Sequence, residues 1–408
     1  MTPKSIADFL ALRRNTTLLL LALVLAGTGE RLWLGFAPKY LQTLGATVLV
    51  IGLFDALQTL LGASYAYPGG WLTDRLGQRS SLLLFNALSL AGYVLVLVWQ
   101  HWSALLIGAF LFLAWSALSL PATFAVVATS LDKSRHTMGV GVQSMVRRVP
   151  MIIGPLVGGW LIAHYGWEEG VRFALLGCIG LNAITMLFQW FMAESPAEEK
   201  SLANDSSLSF FDVVKSFNPT LRELLVSDIL IRFCERLPYA FVILWAMNHA
   251  GLNAQQFGWL VSIEMVTAMV CYIPVAHLAD KHGQRPFVLA TFVFFTLFPL
   301  SLLWAESFGA LAVAFVIRGL KEFGEPARKA LIIAQAASGL RARTYGAYYL
   351  IRDCIVTLGS LAGAWLWSIS PGANFIGAAL CGIFGTLWFW WFLSRRSSPL
   401  ALKESLQS

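Results

Sequence analysis

Leu72–Ser80 reads LTDRLGQRS, and Leu278–Pro286 reads LADKHGQRP, 206 residues further on. These two stretches do not stand alone. GERLWL at Gly29–Leu34 returns as CERLPY at Cys234–Tyr239, and SLPATFA at Ser119–Ala125 lines up with GEPARKA at Gly324–Ala330. GPLVGGWL at Gly154–Leu161 lines up with GSLAGAWL at Gly359–Leu366, and these last three matches share an offset of 205. Four matches at nearly one offset mark a duplicated unit. In membrane proteins such repeats place a substrate site where the repeats meet.

The sequence around these motifs is apolar. Of 408 residues, 57% are hydrophobic, 13% aromatic and only 12% charged, and the mean hydropathy is +0.68. A soluble domain carries about twice that share of charge. A soluble enzyme, a disordered chain and a nucleic-acid-binding domain are therefore excluded, despite a net charge of +7. A spanning helix needs about 20 apolar residues. Twelve such segments can be drawn, at 16–38, 47–67, 81–100, 103–130, 138–163, 170–192, 223–247, 254–276, 287–305, 307–333, 345–369 and 374–394. The polar stretch AESPAEEKSLANDSSLSFFDVVKSFNP separates the sixth from the seventh. The expected organisation is a six-helix bundle over 1–192, a cytoplasmic linker over 193–222 and a second six-helix bundle over 223–408. That is an all-α membrane protein of twelve transmembrane helices in two pseudo-symmetric halves.

Basic residues set the orientation. With the N-terminus inside, Lys4, Arg13, Arg14, Arg75, Arg79, Lys133, Arg135, Lys200, Lys215, Lys281, Arg285, Arg341, Arg343, Arg395, Arg396 and Lys403 all fall on the cytoplasmic side, against Lys39 outside. Both termini are expected in the cytoplasm of a multi-pass inner or plasma membrane protein, so the basic balance anchors loops and implies no nucleic-acid partner. The five cysteines show no metal-binding spacing, and no phosphate-binding GxxxxGK[ST] loop exists. No metal site, cofactor or ATP-driven step is expected.

The motif Gly70, Asp74, Arg75, Gly77 and Arg79 fits GxxxDRxGxR after the second segment, and Asp280, Lys281, Gly283 and Arg285 repeat it after the eighth. It resembles the signature loop of the major facilitator superfamily. The second copy departs from the pattern at Ala276 and Lys281. The resemblance implies a twelve-helix secondary transporter working by alternating access, an antiporter or symporter, with a small-molecule substrate and a cytoplasmic latch at this loop. It implies a monomeric carrier and no enzyme activity. On the residues themselves, glycine permits a tight turn. An aspartate just beyond a helix end can accept from the N-terminus of a facing helix, and ordinary positive-inside loop chemistry is the plain alternative. GPLVGG resembles the GPxxGG core of a motif prominent in antiporters of the superfamily. Gly141 fits its upstream glycine, but Pro150 stands where another glycine is usual, and close helix packing explains small residues equally well. The basic motif often found on the fourth helix is missing.

Charges inside apolar helices cost about 2.5–3.5 kcal/mol on insertion scales and persist where they are paired or face water. The basic ones are Arg31, Arg147, Arg148, Arg232, Arg236, Arg318, Lys321, Arg328, Lys329 and Arg352. The acidic ones are Glu30, Asp55, Asp228, Glu235, Glu264, Glu322, Glu325 and Asp353. Segments 3, 9 and 12 have none and the sixth has only Arg172 near its end; the resemblance implies that helices 3, 6, 9 and 12 are the outer, lipid-facing ones around a lined cavity. In segment 10, positions 318, 321, 322, 325, 328 and 329 share one helical face. That predicts i,i+4 pairs Arg318–Glu322, Lys321–Glu325 and Glu325–Lys329, with kinks at Pro121 and Pro326. The candidate substrate and coupling residues are Glu30, Arg31, Arg147, Arg148, Glu235, Arg236, Arg318, Lys321, Glu322, Glu325, Arg352 and Asp353. They serve either substrate contact or mutual neutralisation. The leading expectation is transport of a small polar organic anion held by Arg31 and Arg236. Proton-coupled efflux of amphipathic drugs is the alternative, and a lipid flippase or a non-transporting sensor is the rival of another class.

Overall fold

The computed structural model describes residues 14–117, 146–193, 210–335 and 341–396. Every regular element among them is helical. Outside the described residues lie Pro121, the end of the fourth segment, the start of the fifth with Gly141, the SLPATFA copy of the repeat, most of the linker and the basic residues Lys133, Arg135, Lys200 and Lys403.

The first segment is α1 (Arg14–Trp33), a 3-10 turn at Leu34–Phe36 and α2 (Ala37–Thr43). The second is α3 (Val48–Ser64), capped by Thr47, whose side chain accepts from the Val50 amide, followed by α4 (Ala66–Leu76). α5 (Gln78–Val98) and α6 (Trp102–Phe112) are the third and fourth. The fifth and sixth segments run as α7 (Val149–Trp190), divided at Gly166, whose φ of 82° makes it the turn between two spans. α8 (Phe210–Lys215) precedes α9 (Pro219–Tyr239) and α10 (Val242–Asn248), the seventh segment. Asn218 caps α9, accepting from the Leu221 amide at 2.7 Å, and Pro219 starts the helix where a missing N–H costs nothing. α11 (Ala254–His282), α12 (Arg285–Leu302), α13 (Phe308–Leu320), α14 (Glu325–Ala334), α15 (Arg341–Ile369) and α16 (Pro371–Arg396) complete the chain. Among the described residues, six helical stretches are long and apolar enough to cross a membrane by themselves. Leu187, Trp365, Phe384 and Trp390 are all more than half exposed. That is the surface of a protein solvated by lipid.

Three sequence expectations are corrected. Segment 10 is not one helix kinked at Pro326: it breaks at residues 321–324 into α13 and α14, with Pro326 in the opening turn of α14. Gly324 causes the break locally, because its backbone lies against the Phe287 carbonyl and its amide donates to Thr291 Oγ1 at 2.5 Å, tying the turn to α12. Second, Arg147 and Arg148 stand in a turn ahead of α7, not within a spanning helix. Third, Asp74 and Arg75 lie in the last turn of α4, and Asp280 and Lys281 near the end of α11, so the acidic residues of the signature are helical and not in a loop. The turn itself is made by Gly77 (φ 80°) and Gly283 (φ 85°), a left-handed backbone that favours glycine.

By its described residues the chain forms two compact units, one from Met1–Asp205 with Gly251–Met265 and one from Ser206–Ala250 with Val266–Ser408. Their internal packing repeats. In the first unit Gly154 lies against Arg31 and Gly158 against the Leu32 carbonyl. In the second, Gly359 lies against Arg236 and Gly363 against the Leu237 carbonyl. All four pairs match at the offset of 205, so the small residues of GPLVGG and GSLAGA are helix-packing positions. Gly159 and Gly258 extend this contact, facing the Ala254 and Pro155 carbonyls, and Ser262 Oγ donates to the Ile152 carbonyl at 2.8 Å. In the second unit Asn374 Nδ2 donates to the Leu237 and Gly363 carbonyls, each at 2.8 Å, locking α9, α15 and α16 together.

Candidate functional site

The densest chemistry lies in the second unit, where α9, the break between α13 and α14, and α15 converge. Asp228, Arg232 and Glu235 recur at i, i+4 and i+7, so α9 presents them on one face. Lys321 ends α13 and Glu325 opens α14, which puts one cation and one anion on either side of the break. Arg328 follows a turn later and is 1% exposed, while Tyr348 and Arg352 descend from α15.

These side chains close into one network. Arg232 donates to Glu235 Oε2 at 2.7 Å and to Glu325 Oε1 at 2.5 Å. Lys321 Nζ meets Glu235 Oε1 at 2.8 Å. Arg328 donates to Asp228 Oδ2 at 2.5 Å and to Glu325 Oε2 at 2.8 Å. Tyr348 OH donates to Asp228 Oδ2 at 3.1 Å, Arg352 Nη1 lies 3.4 Å from the same oxygen, and Arg352 Nη2 bonds Asp353 at 2.7 Å. The cations Arg232, Lys321, Arg328 and Arg352 thus face the carboxylates Asp228, Glu235, Glu325 and Asp353, four against four. One bond is unmade: Asp228 Oδ1 and Arg232 Nε are both buried without a hydrogen-bond partner and stand 3.9 Å apart.

Of the residues singled out from the sequence, Glu235, Lys321, Glu325, Arg352 and Asp353 belong to this network. The pairings seen within it run mostly between helices, with Lys321 on Glu235 of α9 and Glu325 on Arg232 of α9 and Arg328 of its own helix. Arg236 stacks over the Tyr239 ring at 4.7 Å, and Arg318 lies over Tyr239, Phe298 and Phe315 at 5.1–5.4 Å. Glu322 is half-buried in the break. In the sequence Asp228, Arg232 and Arg328 stand out only as intramembrane charges, although the i, i+4, i+7 spacing on α9 marks the first two. In the first unit Glu30 is 6% exposed and Arg31 half-buried, and Arg147 is half-buried in the turn before α7. Arg148 is half-buried beside it. At the signature, Arg75 stacks on Trp71 at 4.5 Å and Arg79 on Trp190 at 5.0 Å, while Lys281 and Arg285 are exposed.

A helical membrane protein built of two like units, each crossed by buried charge, is a carrier of the duplicated type. A family model for the Major Facilitator Superfamily matches residues 19–234 and again 224–407, so the chain belongs to that superfamily and is one of its membrane transporters. It is 25% identical over 419 residues to the multidrug resistance protein MdtG of Escherichia fergusonii, covering 98% of this chain and all of the relative. The protein of that name from Citrobacter koseri is 26% identical over 96% of this chain and 98% of its own. The solved nucleoside transporter NupG superposes with a TM-score of 0.77 at 12% identity, over 92% of this chain and 98% of its own. The human organic anion transporter MFSD10 (TETRAN) gives 0.62 at 17%, over 92% and 99%. These last two likenesses are of fold.

Proposed function

We propose that this transporter exports amphipathic organic compounds by alternating access, driven by a proton gradient. The full-length likeness to relatives named multidrug resistance proteins carries this reading. The network in the second unit agrees with it, because its charges are taken up by one another, which favours an apolar or weakly charged substrate over a strongly anionic one. The test is export of an amphipathic dye, compared between cells expressing the wild type and cells carrying an empty membrane. Both termini are placed in the cytoplasm by the basic bias of the loops, with 1–192 and 223–408 as the functional halves joined by 193–222.

One observation favours the second reading, a small organic anion. Arg31 is half-buried and, among the described residues, makes no hydrogen bond or ion pair. A guanidinium binds carboxylate or phosphate as a fork, which lysine cannot reproduce. On that reading Arg31→Lys and Arg236→Lys both raise the apparent KM for an anion several-fold at normal membrane levels. On the export reading the dye KM stays within about twofold. Transport kinetics in proteoliposomes separates the two.

The signature also yields an expectation. Asp74→Asn should reduce export at least tenfold while leaving protein in the membrane, and Asp280→Asn should do less, because its copy has Ala276 and Lys281 in place of the glycine and arginine. Equal export by both variants and the wild type would reduce the motif to a topology signal.

A further inference from the structure

We infer that the interior of the first unit binds water between α5 and the second span of α7, at a site built by Asn86, Asn182 and Gln189. All three side chains are 0% exposed. Cys178, Asn182 and Gln189 recur at i, i+4 and i+11, so α7 presents them on one face. Asn86 of α5 meets that face: its Nδ2 donates to the Asn182 carbonyl at 3.1 Å and to Gln189 Oε1 at 3.3 Å. Asn182 Nδ2 in turn donates to the Cys178 carbonyl at 2.8 Å and lies 3.5 Å from Cys178 Sγ.

Three polar atoms are left over. Asn86 Oδ1, Asn182 Oδ1 and Gln189 Nε2 are buried and, among the described residues, have no hydrogen-bond partner. Turning an amide over does not cure this, because the bonds already made fix each one. Asn86 or Asn182 reversed would set an oxygen against a backbone carbonyl, and Gln189 reversed would set its amide N–H groups against those of Asn86. The neighbouring hydroxyls, equally buried, do find partners. Ser89 Oγ donates to the Phe112 carbonyl at 3.0 Å and accepts from the Trp115 amide at 2.8 Å, and Thr185 Oγ1 donates to the Leu181 carbonyl at 2.8 Å.

Buried polar groups without a partner are rare and destabilising, so this set calls for a ligand. The atoms decide its chemistry. Two acceptor oxygens disfavour an anion, and the Gln189 N–H groups disfavour a metal or ammonium ion. A molecule that donates twice and accepts once matches the set, and at 0% exposure that molecule is water, singly or as a short chain. Buried waters make about three hydrogen bonds each. The second unit shows that the fold itself does not demand this polarity. Phe292, 206 residues on from Asn86, is 0% exposed and packs its ring 5.1 Å from that of Phe389.

Radiolytic hydroxyl-radical footprinting of the purified full-length protein reads the site, because radicals born from bound water oxidise adjacent side chains whether or not these are exposed. Cys178 and Cys234 are matched reporters. Both are free thiols at 0% exposure, one beside Asn182 and the other donating to the Phe295 carbonyl at 3.3 Å. Cys178 should oxidise several-fold faster than Cys234. Asn86→Leu, which makes this position apolar as in the second unit, should bring Cys178 down to the Cys234 rate. Gln189→Met removes the leftover donor at nearly constant shape and should lower the Cys178 rate as well, so the test survives poor folding of Asn86→Leu. Equal rates for the two cysteines in the wild type overturn the inference. So does a Cys178 rate left unmoved in a substituted protein that is folded.

Discussion

Asp228→Ala is expected to remove most of the folded transporter from the membrane. Asp228 Oδ2 accepts from Arg328, Tyr348 and Arg352 together, and Arg328 is 1% exposed. Removing the carboxylate leaves Arg328 with Glu325 and the Tyr349 hydroxyl, in a region where water cannot replace the lost partner. Breaking one side of a buried pair costs about 3–5 kcal/mol, a large part of a domain's net stability. Replacing both sides by apolar residues of like volume is often neutral. Asp228→Leu combined with Arg328→Met should therefore recover much of the loss, and the residue matching Asp228 in the first unit is already Leu23. Thermal unfolding of purified protein, followed by size-exclusion chromatography, compares the three forms. A single variant as stable as the wild type would mean that the network contributes little to the fold.

The second large effect is steric. A Cβ at Gly158 would overlap the Leu32 carbonyl, and one at Gly363 would overlap the Leu237 carbonyl. Neither obstacle is the end of a flexible side chain, so Gly158→Ala or Gly363→Ala must force whole helices apart. Overpacking of this kind costs about 1–3 kcal/mol or more. Gly62→Ala and Gly180→Ala are the controls, because a Cβ at either meets nothing within 4 Å. Lower yield and lower Tm are expected for the first pair and no change for the second. Stable Gly158→Ala protein would separate the GPLVGG motif from packing and return it to a functional role.

The sequence carries the repeat because duplication preserves identities wherever two backbones touch. Gly154, Gly158, Gly359 and Gly363 match for that reason, and the apolar runs show the spans because lipid imposes their length. What it could not display is which helix faces which. The charges from 318 to 329 fall on one continuous helical face, so they read as partners of each other. Gly324 docking on Phe287 and Thr291 breaks that face, and the freed Lys321 and Glu325 find Glu235 and Arg232 on α9. Asp228 and Arg328 became central only through Tyr348 and Arg352 of α15, more than a hundred residues from Asp228.

The direct measurement is ethidium movement in proteoliposomes holding the purified transporter, with a pH gradient imposed across the membrane and a phosphorylated sugar tested in parallel. A proton-driven exporter of amphipathic compounds accumulates ethidium against its gradient, stops when the pH gradient is collapsed, and leaves the sugar phosphate where it was. Exchange of the sugar phosphate with no movement of ethidium would contradict that function and establish an organic anion as the substrate.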